Sequence, residues 1–193
     1  MKLLMYYGFA NRANTYIIGP KDGGKAILID PGSFEVPLLN MIEDNNYYID
    51  SIILTHGHSS HSNGVKTALK VYNATIYAAL GKVNSFITTM VSDNETRNIS
   101  GFDVNFYEIP GHSTDSLVLK VKNLLFTGDI FNSGYLGNPV NTFARDNMQK
   151  EIQSRLLTLD GETIVLPGHG PPSTIQIERE INENLFTTTE ISS

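Results

Sequence analysis

Short apolar runs alternate with turn residues along the first third of the chain. Apolar or β-branched runs at residues 3–7, 14–18 and 25–30 are separated by Gly8, by the turn at residues 20–24 and by Pro31-Gly32. Runs of this length between glycine and proline turns are typical of β-strands. A continuous run at residues 51–55 predicts a short, buried strand.

Helices are predicted where apolar residues recur at helical spacing, as Val65, Leu69 and Tyr72 do. Residues 81–101 are harder to assign, and we expect a short helix followed by a polar stretch there. The helices predicted elsewhere cover residues 35–44, 61–72, 145–157 and 173–184, the last after a hydroxyl N-cap. Further strands are predicted at residues 75–78, 104–109, 116–121, 124–127 and 163–166.

The residues with the most chemistry follow the predicted strands. Asp30, His56, His112, Asp129 and His169 each lie at a strand end or in the loop beyond it. Functional sites in sheet-based folds are built from loops at one edge of a rigid scaffold. We therefore expect these five segments to converge on one site.

Composition is ordinary for a soluble globular protein, with 40% hydrophobic and 18% charged residues among 193. This length suits one domain, which we predict over residues 1–193. A formal net charge of −6 argues against nucleic acid as the main partner, because nucleic-acid binders usually carry a basic face. No apolar stretch approaches the length of a membrane span or a signal-peptide core, so we expect a cytoplasmic protein that does not act on membranes.

All five histidines lie in three short motifs that are typical of a metal site. His56, His58 and His61 form an HxHxxH cluster, while His112 and His169 each follow a Pro-Gly pair. In an extended segment, residues two apart point the same way, so His56 and His58 can reach one ion. The chain has no cysteine, so any metal must be held by histidine, carboxylate and water.

Two aspartates are candidates to complete that site. Asp129 ends an apolar strand in the run Leu-Phe-Thr-Gly-Asp and is placed to bridge two metals, although an Asx-turn is the structural alternative. Asp30 presents the same ambiguity. For Asp30 we favour a supporting role, in which it fixes a ligand histidine or the local backbone, over direct ligation.

In order along the chain, the motifs ILIDPG, THGHSSH, PGHS, FTGD and PGHGPPST span residues 27–174. This set resembles the metallo-β-lactamase fold superfamily, and within it the small glyoxalase II-like thioester hydrolases. The PGHGPPST stretch and the helix after it are similar to the hydroxyacylglutathione hydrolase branch in particular. The resemblance implies an α/β (α+β) fold, a four-layer αββα sandwich of two mixed sheets flanked by helices, with a metal site at one edge.

The resemblance also implies a role for each motif residue. His56, His58 and His112 would hold a first metal, His61 and His169 a second, and Asp129 would bridge both. We expect one or two zinc ions, with iron or manganese as alternatives. Metal-bound hydroxide would attack the carbonyl of a thioester or ester, and Asp129 and His169 are our candidate catalytic residues.

One position departs from the family pattern HxHxDH, because Ser60 occupies the place of its aspartate. In the family this aspartate ligates the second metal and helps to orient the attacking hydroxide. Serine is a neutral hydroxyl and a much poorer ligand. The first site keeps a full set of ligands, whereas the second keeps only His61, His169 and the shared Asp129.

Three interpretations follow from Ser60. The protein is a hydrolase with one tightly held metal, an iron protein like the persulfide dioxygenases of the superfamily, or a degenerate enzyme kept as a ligand-binding module. The dioxygenase interpretation is less favoured, because the persulfide dioxygenases are expected to retain the aspartate of the motif. We rank the hydrolase first and the degenerate binder second.

The expected partner is a small-molecule substrate whose identity the sequence leaves open, as it does the oligomeric state. Full-length glyoxalase II carries a helical C-terminal domain that binds the glutathione moiety, and this chain ends about twenty residues after Pro172. We therefore predict that this domain is lacking, which puts glutathione specificity in doubt. Residues near Asp129 that are candidates to line the pocket are Phe131, Asn132, Tyr135 and Arg145, with loop packing or surface solvation as an equal alternative for each.

Overall fold

Each half of the chain contributes one six-stranded sheet. The computed structural model describes residues 1–186. In chain order, the first half forms β1 (Lys2–Gly8), β2 (Ala13–Gly19), β3 (Gly24–Ile29), α1 (Val36–Glu43), β4 (Tyr47–Ile53), α2 (Ser59–Ser62), α3 (Val65–Val71), β5 (Thr75–Ala78), β6 (Lys82–Val83), β7 (Phe86–Ile87) and β8 (Thr89–Met90).

The second half continues with β9 (Thr96–Ile99), β10 (Phe102–Glu108), β11 (Leu117–Val121), β12 (Leu124–Gly128), β13 (Phe131–Asn132), β14 (Tyr135–Leu136), α4 (Thr142–Glu151), a π-helical turn (Ile152–Leu156), β15 (Ile164–Pro167), β16 (Ser173–Thr174), α5 (Ile175–Ile181) and a 3₁₀ turn (Glu183–Leu185).

Both large sheets are mixed. The first has the order β1-β2-β3-β4-β5-β8, antiparallel from β1 to β3 and parallel from β3 to β8. The second has the order β16-β15-β12-β11-β10-β9, in which only the β12–β15 pair is parallel. Each sheet thus combines hairpins, which bring neighbouring strands together, with crossovers that carry helices to its outer face.

Three apolar clusters separate the layers. Strand β2 is buried along its whole length, and its side chains alternate between two of these clusters. Tyr16 and Ile18 lie between the sheets, whereas Ile17 lies under α1 and α3. Tyr16 meets Phe126 of the opposite sheet edge-to-face at 5.3 Å, a contact worth about 1 kcal/mol beyond simple burial.

The third cluster packs α4, the π-helical turn and α5 against the outer face of the second sheet. The order helix, sheet, sheet, helix confirms the αββα sandwich that the motifs predict. Among residues 1–186, no helix is long and apolar enough to cross a membrane. The prediction of one domain over residues 1–193 stays a prediction, since residues 187–193 lie outside the described part.

The helix predicted over residues 61–72 is two helices, α2 and α3, separated at Gly64. The Gly64 N–H donates to the Pro31 carbonyl at 2.8 Å. A Cβ at Gly64 would lie 2.5 Å from the same oxygen, so only glycine fits there. The face we predicted for α3 was also partly wrong, because Ala68 is buried and Leu69 is 36% exposed.

The short helix expected within residues 81–101 was wrong. The segment instead forms the β6–β7 hairpin and the edge strands β8 and β9. Asn84 adopts the left-handed conformation in the hairpin turn, with φ of 53°, a conformation that asparagine tolerates better than most residues. The predicted helix at residues 145–157 is α4 continued by the π-helical turn, and the tail helix starts after β16 with Thr174 as its N-cap.

Candidate metal centre

The loops after β4, β10, β12 and β15 bring all six predicted ligand side chains to one edge of the sandwich. They form two groups that share Asp129, and the candidate ligand atoms within each group lie within 4.8 Å of one another. The groups are His56, His58, His112 and Asp129, and His61, Asp129 and His169. The motif loops therefore converge at one edge, as we expected. Metal binding by these residues stays a prediction.

The first group is built from three imidazoles and one carboxylate oxygen. The His58 Nδ1 lies 3.0 Å from both the His56 Nε2 and the His112 Nε2. Asp129 Oδ2 lies 3.8 Å from the His56 Nε2 and 3.6 Å from the His112 Nε2. Ligand atoms around a tetrahedral zinc at about 2.0–2.1 Å are separated by roughly 3.3 Å, so the group has the dimensions of such a site.

The second group has three candidate ligands. The His61 Nε2 lies 3.3 Å from Asp129 Oδ1, and the His169 Nε2 lies 3.5 Å from Asp129 Oδ2. His61 is fully buried, while His169 lies at the mouth of a cavity. The shared carboxylate thus faces both groups.

Partners of the second ring nitrogen orient four of the five histidines. When Nδ1 carries a proton and donates it to an acceptor, Nε2 keeps a lone pair that is free to bind a metal. For three histidines the Nδ1 partners are Thr55 Oγ1 with His56 (3.1 Å), the Asn138 carbonyl with His112 (3.0 Å) and the Arg12 carbonyl with His169 (2.6 Å).

Asp30 orients the fourth, His61, because its Oδ2 accepts from the His61 Nδ1 at 3.0 Å. The same carboxylate accepts from the Thr55 N–H at 2.8 Å and from the Thr55 hydroxyl at 2.6 Å. Since the Thr55 hydroxyl gives its proton to Asp30, its oxygen is left to accept from His56. One buried carboxylate therefore supports one histidine of each group, which agrees with the supporting role we favoured for Asp30.

The buried Asp30 and the half-buried Asp129 give the second group a strongly negative environment. Burial opposes a charge on His61, but attraction by Asp30 and contacts with Asp129 outweigh it and raise the pKa of His61 to about 10. Burial likewise opposes ionisation of Asp129, yet His61 holds the pKa of that carboxyl well below its usual range. In the first group, burial lowers the pKa of His56 to about 4 and also lowers the pKa of His112. Imidazoles that stay neutral are suited to ligate a metal at neutral pH.

Unsatisfied polar atoms fit a cation in this centre. Among the described residues, the buried His61 Nε2 and Asp129 Oδ1 face each other at 3.3 Å, and neither has a hydrogen bond of good geometry. Buried polar atoms without partners are rare, because leaving one costs about 1–3 kcal/mol. A positive ion between the groups would satisfy both atoms and the lone pairs of the other rings.

Ser60 is not a member of either group. It lies half-buried in α2, and within residues 1–186 nothing hydrogen-bonds to its hydroxyl. Its carbonyl packs so closely on Gly32 that a Cβ there would lie 1.6 Å from the oxygen. The backbone at Ser60 is therefore fixed, while its side chain supplies no carboxylate to the second group.

Close packing also explains Gly168, which precedes His169. A Cβ at Gly168 would lie 2.4 Å from the His61 ring and 2.5 Å from Asp129 Oδ1. Any larger residue would displace both side chains of the second group, so the Pro-Gly-His turn needs its glycine for steric reasons.

Asn14 is a residue that the sequence analysis missed. Its side-chain amide donates to the carbonyls of Pro167 at 2.9 Å and Gly170 at 2.8 Å, on either side of His169. The signal was present, because Asn14 is a polar residue within the wholly buried strand β2. A buried polar side chain in such a strand normally has a specific partner.

A cavity of about 380 Å³ opens beside the metal centre. Asn132 and Tyr135 line it, as predicted. Phe131 and Arg145 do not, so that part of the prediction was wrong: Phe131 is fully buried in the third apolar cluster, and Arg145 lies on α4. The full lining is His112, Asp129, Asn132, Tyr135, Leu136, Gly137, Asn138 and His169.

Comparison with known proteins agrees with this geometry. A family model described as Metallo-beta-lactamase superfamily matches residues 9–169. The chain is also 32% identical over 117 residues to hydroxyacylglutathione hydrolase 1 of Vibrio vulnificus, an alignment that covers 60% of this chain and 47% of that protein. The aligned region thus spans about half the length of this relative.

Two solved structures have the same fold. The B3 metallo-beta-lactamase BLEG-1 superposes with a TM-score of 0.84 at 22% identity, covering 96% of this chain and 100% of that chain. A protein solved in a di-iron-bound form has a TM-score of 0.72 at 24% identity, covering 88% and 93%. At these identities the similarity establishes the fold alone.

Proposed function

Because the chain belongs to the metallo-beta-lactamase superfamily, we propose that it is a metal-dependent hydrolase that cleaves a thioester or an ester. The observation that carries the proposal is the pair of ligand groups sharing Asp129, with six side chains from four separate chain segments inside one small volume. Such a constellation is costly to maintain, since it leaves buried polar atoms without partners unless a cation is bound.

In this proposal, His56, His58, His112 and Asp129 hold one ion, while His61, His169 and Asp129 hold another more weakly. A divalent metal lowers the pKa of a coordinated water towards neutrality and polarises a carbonyl oxygen. Zinc suits the nitrogen-rich first group. Iron stays a candidate because one protein of the same fold has a di-iron-bound form.

The remaining chemistry belongs to the side chains around the centre. Asp30 and Thr55 hold His61 and His56 in fixed orientations, so that little reorganisation is needed during the reaction. Asn132 and Tyr135 on the cavity wall offer an amide and a hydroxyl to polar groups of the substrate. Asp129 and His169 line the cavity and belong to the second group, which supports the proposal that they act on the substrate carbonyl.

The thioester class is supported by the similarity to hydroxyacylglutathione hydrolase 1 of Vibrio vulnificus. That similarity spans only about half of the relative, so it does not identify the thiol leaving group of this protein's substrate. A cavity of about 380 Å³ accommodates a small acyl group with part of its leaving group. We propose a small-molecule thioester, with glutathione as one leaving group among several to be tested.

A degenerate binding module is the second candidate, and Ser60 is the observation that favours it. Without a carboxylate at this position, the second group has fewer ligands than the first. Such a protein would bind one metal and a ligand in the cavity without turning it over.

The test is metal analysis paired with turnover. Purified protein is stripped with a chelator and reloaded separately with zinc, iron or manganese. Metal equivalents per chain are then measured together with hydrolysis of S-lactoylglutathione, of other acyl thioesters and of simple esters. Hydrolysis that appears with metal and disappears with chelator supports the proposal. Bound metal without turnover of any substrate favours the binding module, and failure to retain metal overturns both candidates.

A further inference from the structure

Glu178 of α5 is a carboxylate buried completely from solvent, with 0% exposure. It accepts hydrogen bonds from the Ser173 hydroxyl, from the Asn182 side-chain amide at 2.8 Å and from the Gly134 N–H at 3.2 Å. Buried carboxylates are rare and costly unless their hydrogen bonds are satisfied. Glu178 is outside both ligand groups, so metal binding does not explain its burial.

The Gly134 N–H links Glu178 to the wall of the cavity. Gly134 lies in the turn of the β13–β14 hairpin, whose residues Asn132, Tyr135 and Leu136 line the cavity beside the metal centre. Glu178 thus contacts the back of the hairpin that presents these side chains to the substrate.

The base of this hairpin is held independently of Glu178. The Thr127 hydroxyl donates to the Phe131 carbonyl at 2.8 Å, and the Gly137 N–H donates to the Ile130 carbonyl at 2.8 Å. The turn of the hairpin is held differently. Within the described part of the chain, its hydrogen bond from outside the hairpin is the one from the Gly134 N–H to the Glu178 carboxylate. Ile181 of the same helix packs beside it, 3.5 Å from where a Cβ of Gly134 would lie.

We propose that Glu178 is a positioning residue that fixes the β13–β14 hairpin, and through it Asn132 and Tyr135, against the substrate. No proton moves in this role, because the carboxylate only accepts hydrogen bonds. The effect on substrate binding rests on the proposed hydrolase function, whereas the effect on the hairpin itself does not.

Glutamine is the matched rescue variant. Its amide oxygen can take the place of Oε2, which accepts from Gly134 and Asn182, while its NH₂ donates to the Ser173 hydroxyl oxygen. Methionine has a similar length but no strong acceptor. Aspartate keeps the charge but is one methylene too short to reach Gly134. Glu178→Asp therefore provides a second test of the lost hydrogen bond if the methionine variant does not fold.

The experiment compares Glu178→Met, Glu178→Asp, Glu178→Gln and Ser173→Ala, the last of which removes a hydrogen bond on the other carboxylate oxygen. Amide hydrogen exchange of residues 131–137 is followed by mass spectrometry, and KM and kcat are measured for the best thioester substrate. We expect Glu178→Met and Glu178→Asp to speed amide hydrogen exchange in residues 131–137 and to raise KM about tenfold, with a much smaller change in kcat. Glutamine should behave like the wild type, and Ser173→Ala should lower the melting temperature without changing KM.

Hairpin exchange in Glu178→Met and Glu178→Asp that matches the wild type would overturn the inference. Failure of glutamine to restore slow exchange would overturn it too, because the role would then depend on charge rather than on accepting hydrogen bonds. If the wild type hydrolyses no substrate, the proposed function fails, and the exchange result alone still decides the role of Glu178.

Discussion

The two ligand groups share one carboxylate but differ in how complete they are. The first places three histidines and Asp129 around one point, while the second has only His61 and His169 with the same aspartate. A zinc site is usually tetrahedral, and a catalytic site keeps three protein ligands with an open position. The first group exceeds this minimum, whereas the second meets it only by sharing Asp129. If both groups bind metal as we propose, the difference predicts a tighter site in the first group and a weaker one in the second.

The hydrogen bonds that orient the ligands show a different contrast: a buried ligand of the second group has a carboxylate partner, whereas an exposed ligand of the first group has none within the part of the chain that the structure describes. His61 of the second group is held by the buried carboxylate of Asp30. His58 of the first group is exposed, and within residues 1–186 its Nδ1 contacts only the other two imidazoles of that group. The second group therefore has its buried ligand firmly oriented but has too few ligands. The contrast suggests that ligand number, rather than preorganisation, limits the second position.

Asp129→Asn should have the largest effect, because this carboxylate serves both groups. An amide carries no charge and is a poor ligand, so we expect turnover to fall by about a thousandfold or more, or about 4 kcal/mol of transition-state stabilisation. Metal content and kcat are measured on the same sample. The control is Asp146→Asn, an exposed aspartate on α4. Equal metal content and turnover in Asp129→Asn and wild type would remove the basis for a shared centre.

His112→Ala and His169→Ala separate the two groups. Loss of a residue that supports a metal ligand typically lowers metal affinity by roughly 10- to 100-fold. Because His112 is itself a proposed ligand, we expect His112→Ala to lower the affinity for the tighter equivalent of metal by more than that. His169→Ala should spare that equivalent and remove only the weaker one. Calorimetric titration with zinc measures both. If the two variants lose the same equivalent, the division into a strong and a weak position is wrong.

Asp30→Asn tests the support of the second group. An asparagine can still accept from Thr55, but it no longer offers a charged acceptor to the His61 Nδ1. We expect the weaker metal to bind about 10- to 100-fold less tightly, with a smaller change at the first group through Thr55 and His56. Calorimetry again reports the affinities, and circular dichroism checks the fold. An unchanged weaker affinity would show that Asp30 does not orient His61.

Ser60→Asp is the gain-of-function counterpart and has the smallest expected effect. A carboxylate at this position adds a ligand to the second group, so we expect higher occupancy of the weaker metal and turnover raised by about tenfold or less. Ser59→Asp, an exposed neighbour on the same helical turn, is the matched control. No change in occupancy or turnover would mean that Ser60 does not limit the second position.

Strands β1 to β3 and the convergence of the histidines and Asp129 at one sheet edge were predictable, because both depend on local sequence. Apolar runs between Gly and Pro turns specify β1 to β3, and a histidine or aspartate at a strand end must project from the sheet edge. The family model confirms the family, and the layers confirm the fold that the motifs imply.

Other features depend on contacts between distant segments. The break at Gly64 follows from its contact with Pro31, about thirty positions earlier, and helical periodicity carries no sign of it. Burial of Phe131 likewise depends on packing against the helices of the second sheet. The roles of Asn14 and Glu178 arise from hydrogen bonds to turns far along the chain, so sequence flags them at most as polar residues in apolar surroundings.

Whether the two ligand groups form a catalytic metal centre is decided by adding metal back to the stripped protein, one equivalent at a time, and measuring thioester hydrolysis at each step. We expect no activity without metal, a tightly bound first equivalent through His56, His58, His112 and Asp129, and a weaker second one. Activity should appear as these equivalents bind and should be lost in Asp129→Asn. Turnover that is the same with and without metal, or a protein that takes up no metal, would show that these side chains do not form a catalytic metal centre.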